Sequence, residues 1–99
     1  IEAVRSVRFV LGERTGSTPA RMSAALVEAL SGHARRLGTP FRTMASGAGH
    51  DTATLAGQGV PSTMIFIRNQ NGSHNPDEAM RIADLCAAAT LVAHLVAEA

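Results

Sequence analysis

Two histidines in polar loops are the side chains of this sequence best placed to do chemistry. His50 ends the glycine-rich segment SGAGH, and His74 lies in the polar segment NGSHNPDE. Imidazole changes charge near neutral pH and is the commonest metal ligand in proteins, so each position suits proton transfer, substrate contact or metal binding. A plain turn with a surface histidine is the alternative interpretation at both positions.

The glycine turn before His50 is a candidate anion site. Gly47 and Gly49 free the backbone for conformations closed to other residues, and successive amides that open a helix can bind an anion. Asp51 falls in the first helical turn, where a carboxylate suits the helix dipole and could also orient an imidazole. The segment therefore suits substrate binding, or else a tight strand-to-helix turn without further role.

The loop around His74 cannot complete a zinc site, which needs three or four ligands. The sequence has no HExxH motif and a single cysteine, so further ligands would have to come from elsewhere. Among the other candidates, we expect His33 to be packed, His94 to face solvent and Cys86 to be a small buried residue. Ser46 lacks the GxSxG elbow of a serine nucleophile.

The hydrophobic pattern predicts the elements that position these loops. Strands are predicted over 4–11, 40–46 and 62–69, and helices from Pro19 to Leu37, from His50 to Gly57 or Gly59, and from Pro76 onward. Ser17 or Thr18 would cap the first helix and Asn75 the last, and Gly38 would stop the first. The order from Pro40 predicts two parallel strands, whose loops would bring His50 and His74 to one crevice.

Composition narrows the function classes. The formal net charge is +1 and the basic residues are scattered, so neither nucleic acid nor a membrane surface is an expected partner. The single Cys86 excludes an internal disulfide and fits a reducing compartment, and no apolar run reaches the length of a membrane span. We therefore expect a cytoplasmic protein.

Two motifs in order carry a family resemblance. MASGAGHDTATLA, then VPSTMIFIRNQNGSHNPDEAM, then DL and a long alanine-rich helix resemble the C-terminal part of the hydantoinase/carbamoylase-type zinc amidohydrolases. That group includes N-carbamoyl-L-amino acid hydrolases, beta-ureidopropionases and allantoate amidohydrolases, within the aminoacylase and carboxypeptidase clan of metallopeptidases. The resemblance is strong from Met44 to Glu78 and weaker before Thr18. It implies an α/β fold of three layers, with a mainly parallel sheet and flanking helices, as the C-terminal part of a di-metal catalytic domain.

The resemblance also implies roles for single residues. His74 would be a ligand of a two-metal site, with zinc expected and manganese, cobalt or nickel as alternatives. His50, with Gly49, would contact the substrate. Glu78 would stand at a helix start and support the site, and the other supporting residues would be Asp51 and Asn75. The general base and the remaining ligands are expected upstream, so no catalytic residue is assigned in this chain. The implied reaction is cleavage of a ureido or amide C–N bond by metal-activated water.

The implied domain organisation places residues 1–14 at the end of a lid or dimerisation domain, 15–18 at a hinge, and 19–99 in the catalytic domain. Thr52 and Gly72 stand where the family often has alanine and isoleucine, which leaves the subfamily open. The expected function is a fragment of a homodimeric hydrolase of N-carbamoyl amino acids or allantoate, inactive alone. The alternative is a non-catalytic α/β binding or oligomerisation module in which both histidines are incidental.

Overall fold

The main tertiary contact of the chain is made by two helices, and a small hairpin lies beside them. The computed structural model describes residues 2–16 and 18–98. In chain order the elements are α1 (Glu2–Arg5), α2 (Ala24–Arg36), α3 (Asp51–Gly57), β1 (Asn69–Gln70), β2 (Ala79–Met80) and α4 (Ile82–Ala97). Helices α2 and α4 pack together, while β1 and β2 pair in an antiparallel sheet. In the described part of the chain, no helix combines the length and apolar character needed to cross a membrane.

Helix α2 begins at a serine cap. Ser23 has extended backbone, and its Oγ accepts a hydrogen bond from the Leu26 N–H at 3.3 Å. The Ser23 N–H in turn donates to the carbonyl of Ser62 at 2.8 Å, which ties the start of the helix to a distant segment. The predicted start at Pro19 is therefore wrong, because this tether and cap hold the chain out of the helix until Ala24. Ser17 lies outside the described residues.

The end of α2 is as predicted. Leu37 closes the helix, and Gly38 takes a φ of +64°, in the left-handed region that favours glycine. The Thr39 N–H donates to the Ala34 carbonyl at 2.9 Å, which satisfies one of the last free carbonyls of the helix. The predicted helix after the glycine turn is also confirmed, and it is followed by Gly59 with a φ of +82°.

Helix α4 begins later than predicted. The predicted cap, Asn75, closes a turn instead, since its Oδ1 accepts from the Asp77 N–H at 2.9 Å and its carbonyl accepts from the Glu78 N–H at 3.2 Å. Residues 79–80 then pair with β1, and this pairing keeps the chain extended until Arg81. The helix starts at Ile82, so the predicted start at Pro76 is wrong.

The predicted parallel strands are not formed within the described residues. Residues 4–5 belong to the turn of α1, and the segments 7–11, 40–46 and 62–68 have no strand pairing there. The pairing that forms is antiparallel, with Asn69 opposite Met80 and Gln70 opposite Ala79. A strand needs a neighbour to satisfy its backbone groups, and the described residues bring no second strand to these segments. The three-layer parallel architecture is therefore not what the described residues build.

Little of the chain is buried. The radius of gyration is 18.9 Å, whereas a compact domain of 100 residues has about 13 Å. Ala34 and Leu91 are the buried apolar side chains of the described part, and large apolar side chains such as Leu11 and Ile82 are 90% and 70% exposed. Cys86 is also exposed, so its predicted burial is wrong, because the described residues leave its face of α4 open to solvent.

Candidate functional site

The loop that carries His74 is held together by one carboxylate. This loop joins β1 to β2, and Glu78 lies at its far end. The Glu78 carboxylate accepts hydrogen bonds from Ser73 Oγ at 2.8 Å, from Asn69 Nδ2 at 3.0 Å and from the His74 N–H at 3.0 Å. These bonds, with that of Ser73 the strongest influence, hold the pKa of Glu78 below its ordinary value. Glu78 is thus an ionised hydrogen-bond acceptor that stabilises the loop. Its predicted place at a helix start is wrong, because α4 begins at Ile82.

Asparagines complete the loop. Asn71 Nδ2 donates to the Asp77 carbonyl at 2.9 Å, and Asn75 Nδ2 donates to the Asn71 carbonyl at 2.8 Å. Asn71, Gly72 and His74 all have positive φ, at 64°, 75° and 63°. Positive φ is uncommon for residues other than glycine, and asparagine tolerates it best. The dense hydrogen bonding therefore fixes a backbone path that local propensity alone would not choose.

The His74 imidazole is exposed at the tip of this ordered loop. Its backbone N–H is bonded to Glu78, but its ring makes no hydrogen bond to any described residue. An exposed imidazole on a fixed backbone fits the chemistry of a single metal ligand. Across residues 2–16 and 18–98, His74 belongs to no group of three or more His, Cys, Asp or Glu side chains that could hold an ion. A zinc site at His74 would therefore need further ligands from outside the described residues.

His50 is the N-cap of α3. Its backbone is extended, and its Nδ1 accepts a hydrogen bond from the Ala53 N–H at 3.2 Å. An imidazole whose Nδ1 accepts carries its proton on Nε2, so the half-buried ring presents an N–H donor on its other side. Asp51 is exposed in the first helical turn, where its charge complements the helix dipole. This arrangement suits a contact to a carbonyl or carboxylate oxygen.

The glycine turn before His50 is open. A Cβ added at Gly47 or Gly49 would meet no atom within 4 Å, and neither residue has positive φ. Ser46 bonds within the same turn, since its Oγ donates to the Ala48 carbonyl at 2.9 Å and accepts from the Ala48 N–H at 3.3 Å. What Gly49 contributes here is free space beside His50 rather than an unusual backbone conformation.

The structure places the two histidines on separate elements, one at the start of α3 and one in the hairpin loop. No hydrogen bond joins them among the described residues. Their predicted meeting in one crevice depended on two parallel strands, which the described residues do not form. A common site for His50 and His74 therefore stays a prediction.

The sequence interpretation missed two arginines at the base of the hairpin. Arg68 and Arg81 line a cavity of about 230 Å³ together with Asn69, Gln70 and Asp84. Arg68 forms a two-pronged ion pair with Asp84, with N–O distances of 2.6 and 3.2 Å, and its hydrogen bonds hold the pKa of Asp84 below the usual range. The positions of these arginines in the sequence could have indicated the cavity. Arg68 directly precedes β1, and Arg81 directly follows β2, so antiparallel pairing brings them to the same end of the hairpin.

Comparison with known proteins identifies the family. The chain matches the profile of Peptidase family M20/M25/M40 over residues 4–98. It is 46% identical over 68 residues to the allantoate amidohydrolase of Escherichia coli strain K12, an alignment covering 68% of this chain and 16% of that protein. It is 29% identical over 86 residues to the N-carbamoyl-L-amino-acid amidohydrolase of Pseudomonas sp. strain NS671, covering 86% of this chain and 20% of that protein. No solved structure gives a significant match.

The chain thus spans a fifth or less of the length of these two relatives. The names of both relatives fall within the group that the SGAGHD and SHNP motifs indicated. The predicted resemblance is confirmed, and this chain belongs to peptidase family M20/M25/M40.

Proposed function

We propose that this chain is a C-terminal part of a metal-dependent hydrolase that cleaves the C–N bond of N-carbamoyl amino acids or of allantoate. The observation that carries the proposal is the exposed His74 imidazole on a backbone fixed by Glu78. The names of the two relatives supply the substrate class, since one acts on allantoate and the other on N-carbamoyl-L-amino acids. Both substrates carry a ureido group and a carboxylate.

In this proposal His74 holds a divalent ion, with zinc first and manganese, cobalt or nickel as alternatives. When bound, the ion, one of two in the full-length enzyme, would supply a water activated for attack on the ureido or amide carbon. Glu78 fixes the backbone of His74, and Asn75 fixes the turn that follows it. Because the His74 ring makes no hydrogen bond to a described residue, coordination would break no existing hydrogen bond of the ring.

His50 and Gly49 form the proposed substrate contact. With Nδ1 bound to the Ala53 N–H, the His50 ring offers its Nε2–H to an oxygen of the substrate. Gly49 leaves room beside it, since a side chain there would fill space that is open in the structure. Asp51 supports the start of α3, on which His50 sits.

The proposal places residues 1–14 in the lid domain and 19–99 in the catalytic domain of a homodimer, with 15–18 as the hinge. The chain alone should be inactive, since one imidazole gives only part of a zinc shell. The general base and the other ligands would lie in the remaining part of the protein. The amount of apolar surface left exposed, for example at Ile82 and Val96, agrees with a chain that packs against further protein.

The test is a substrate panel given to the full-length, metal-loaded protein that contains this chain. N-carbamoyl amino acids, allantoate and dipeptides should be compared at equal concentration by product release. Hydrolysis of a ureido substrate in clear preference to dipeptides is the expected result. Hydrolysis of dipeptides alone would overturn the proposed substrate class, and no hydrolysis of any amide would overturn the enzyme assignment.

A further inference from the structure

A second group of metal-ligating side chains lies where α2 and α4 meet. His33, on α2, is only 4% exposed, and its Nε2 lies 3.8 Å from Glu98 Oε2. The ring of His94, on α4, lies 6.1 Å from the ring of His33, measured between centroids. One ligand atom from each of His33, His94 and Glu98 falls within 4.8 Å of the other two. We call these three residues the helix-seam cluster.

The helices themselves hold this cluster in place. His94 and Glu98 are four residues apart at the end of α4, so their side chains share one face. His33 comes from the last turn of α2, which packs against α4. The carboxyl ends of both helices therefore meet here, and the partial negative charge of each favours a cation. Glu98 adds a full negative charge at the same point.

A cation already occupies part of this space. Arg36 Nη2 lies 2.8 Å from His33 Nδ1 and donates to Glu98 Oε2 at 2.9 Å. The Arg36 side chain is 59% exposed, so its guanidinium can move from the cluster into solvent. The arginine thus binds two of the three potential ligands in the way an exchangeable counter-ion would.

We propose that the helix-seam cluster binds one zinc-class divalent cation through His33, His94 and Glu98, in exchange for the Arg36 guanidinium. Two imidazoles and one carboxylate are a known zinc ligand set, with a fourth position left to water. Ligand atoms in a tetrahedral site with bonds of about 2.0–2.1 Å lie roughly 3.4 Å apart, so small rotations of His94 and Glu98 would suffice. Bound metal would join the ends of α2 and α4.

Arg36 makes the proposal sharply testable. Its charge competes with the ion for the same ligands, so Arg36→Gln should lower the Kd for Zn²⁺ by about tenfold or more. The matched control is Arg35→Gln, because Arg35 is the next residue of α2 but pairs with Glu28 at 3.1 Å, outside the cluster. His94→Ala and Glu98→Gln remove ligands at exposed positions, so they spare the buried His33.

The experiment is equilibrium dialysis of the full-length protein against Zn²⁺, with metal analysis and circular dichroism of each variant. The wild-type protein should bind one equivalent more than His94→Ala and Glu98→Gln do, at unchanged helix content. Arg36→Gln should bind that equivalent more tightly than wild type, and Arg35→Gln should match wild type. Equal stoichiometry in wild type and both ligand variants would overturn the proposal. An unchanged Kd in Arg36→Gln would equally overturn the exchange with arginine.

Discussion

The Glu78 carboxylate accepts a hydrogen bond from the backbone N–H of His74, with 3.0 Å between nitrogen and Oε2. The residue four positions after the proposed ligand therefore fixes the ligand's own main chain. Glu78 thereby restricts the position of the main chain that carries the His74 ring. The same carboxylate also binds Ser73 and Asn69, so three hydrogen bonds of the loop depend on one charge.

Glu78→Gln should therefore lower metal affinity without removing a ligand. An amide offers one oxygen acceptor in place of two and no charge, so the loop loses part of its support. Residues that position metal ligands typically change affinity about 10–100-fold when replaced, and we expect a loss in that range. Asp77→Asn is the control, since it makes the same chemical change at an adjacent exposed carboxylate whose side chain binds no described residue. If both variants lose metal equally, Glu78 has no special role.

The loop should loosen at acid pH. The pKa of Glu78 is lower in the folded loop than its ordinary value of about 4.3, because Ser73 and Asn69 donate to the ionised form. The resulting stabilisation is fully present above that ordinary value and is lost as pH falls through the lower folded-state pKa. Hydrogen exchange of the His74 amide, measured against pH, should show protection failing in that range. In Glu78→Gln this pH dependence should be absent, and its persistence there would point to another group.

Substitutions of His74 and of His50 should impair the intact enzyme in different ways. His74→Ala, and His74→Asn as a variant that tolerates the left-handed backbone, should lose metal and activity together. His50→Ala should keep its metal and lose kcat/KM by a factor on the order of 10² or more, as expected for a contact made chiefly in the transition state. Metal analysis and steady-state kinetics on each variant are the measurements. If His50→Ala lost its metal and His74→Ala kept it, His50 would be the metal ligand and His74 the substrate contact.

His50→Asn separates the cap from the substrate contact. Asparagine is among the best N-cap residues, so it should restore the bond to the Ala53 N–H that His50→Ala removes. It cannot supply the Nε2–H, so kcat/KM should stay low. Recovery of activity in His50→Asn would mean that His50 serves only the start of α3.

The cap of α2 gives a test of stability. Ser23→Ala should lower the free energy of unfolding by about 1 kcal/mol, because the Leu26 N–H loses its acceptor. Thr18→Ala, at one of the two cap positions that the sequence pattern predicts, should leave stability unchanged. Urea unfolding of the full-length protein compares the two. If only Thr18→Ala lowered the free energy of unfolding, the result would support the longer helix that the sequence pattern predicts.

Sequence patterns predicted the structure correctly where neighbouring residues alone determine it. The stop of α2 at Gly38 and the short helix after His50 depend on neighbouring residues, and both were predictable. The burial of His33 and the exposure of His94 also followed from helical spacing. The start of α4 was not predictable, because Glu78 turns back to bind Asn69 rather than continuing a helix.

Long-range relationships account for the remaining differences. The apolar pattern predicts strands for the extended segments. A strand forms only beside a second strand, however, and a local pattern does not specify that second strand. The helix-seam cluster was missed because His33 and Glu98 lie far apart in sequence and meet only through the packing of α2 on α4. The shared site of His50 and His74 depends on the same kind of long-range pairing.

The left-handed backbone at His74, with a φ of 63°, restricts which residues evolution can place there. A lineage that abandoned metal binding would be free to lose the imidazole but not the turn. Glycine, asparagine and aspartate adopt this conformation at low cost, whereas valine, isoleucine and threonine do not. Descendants without the proposed metal site should therefore carry Gly, Asn or Asp at this position. Such a substitution would mark an inactive branch by its backbone preference rather than by its chemistry.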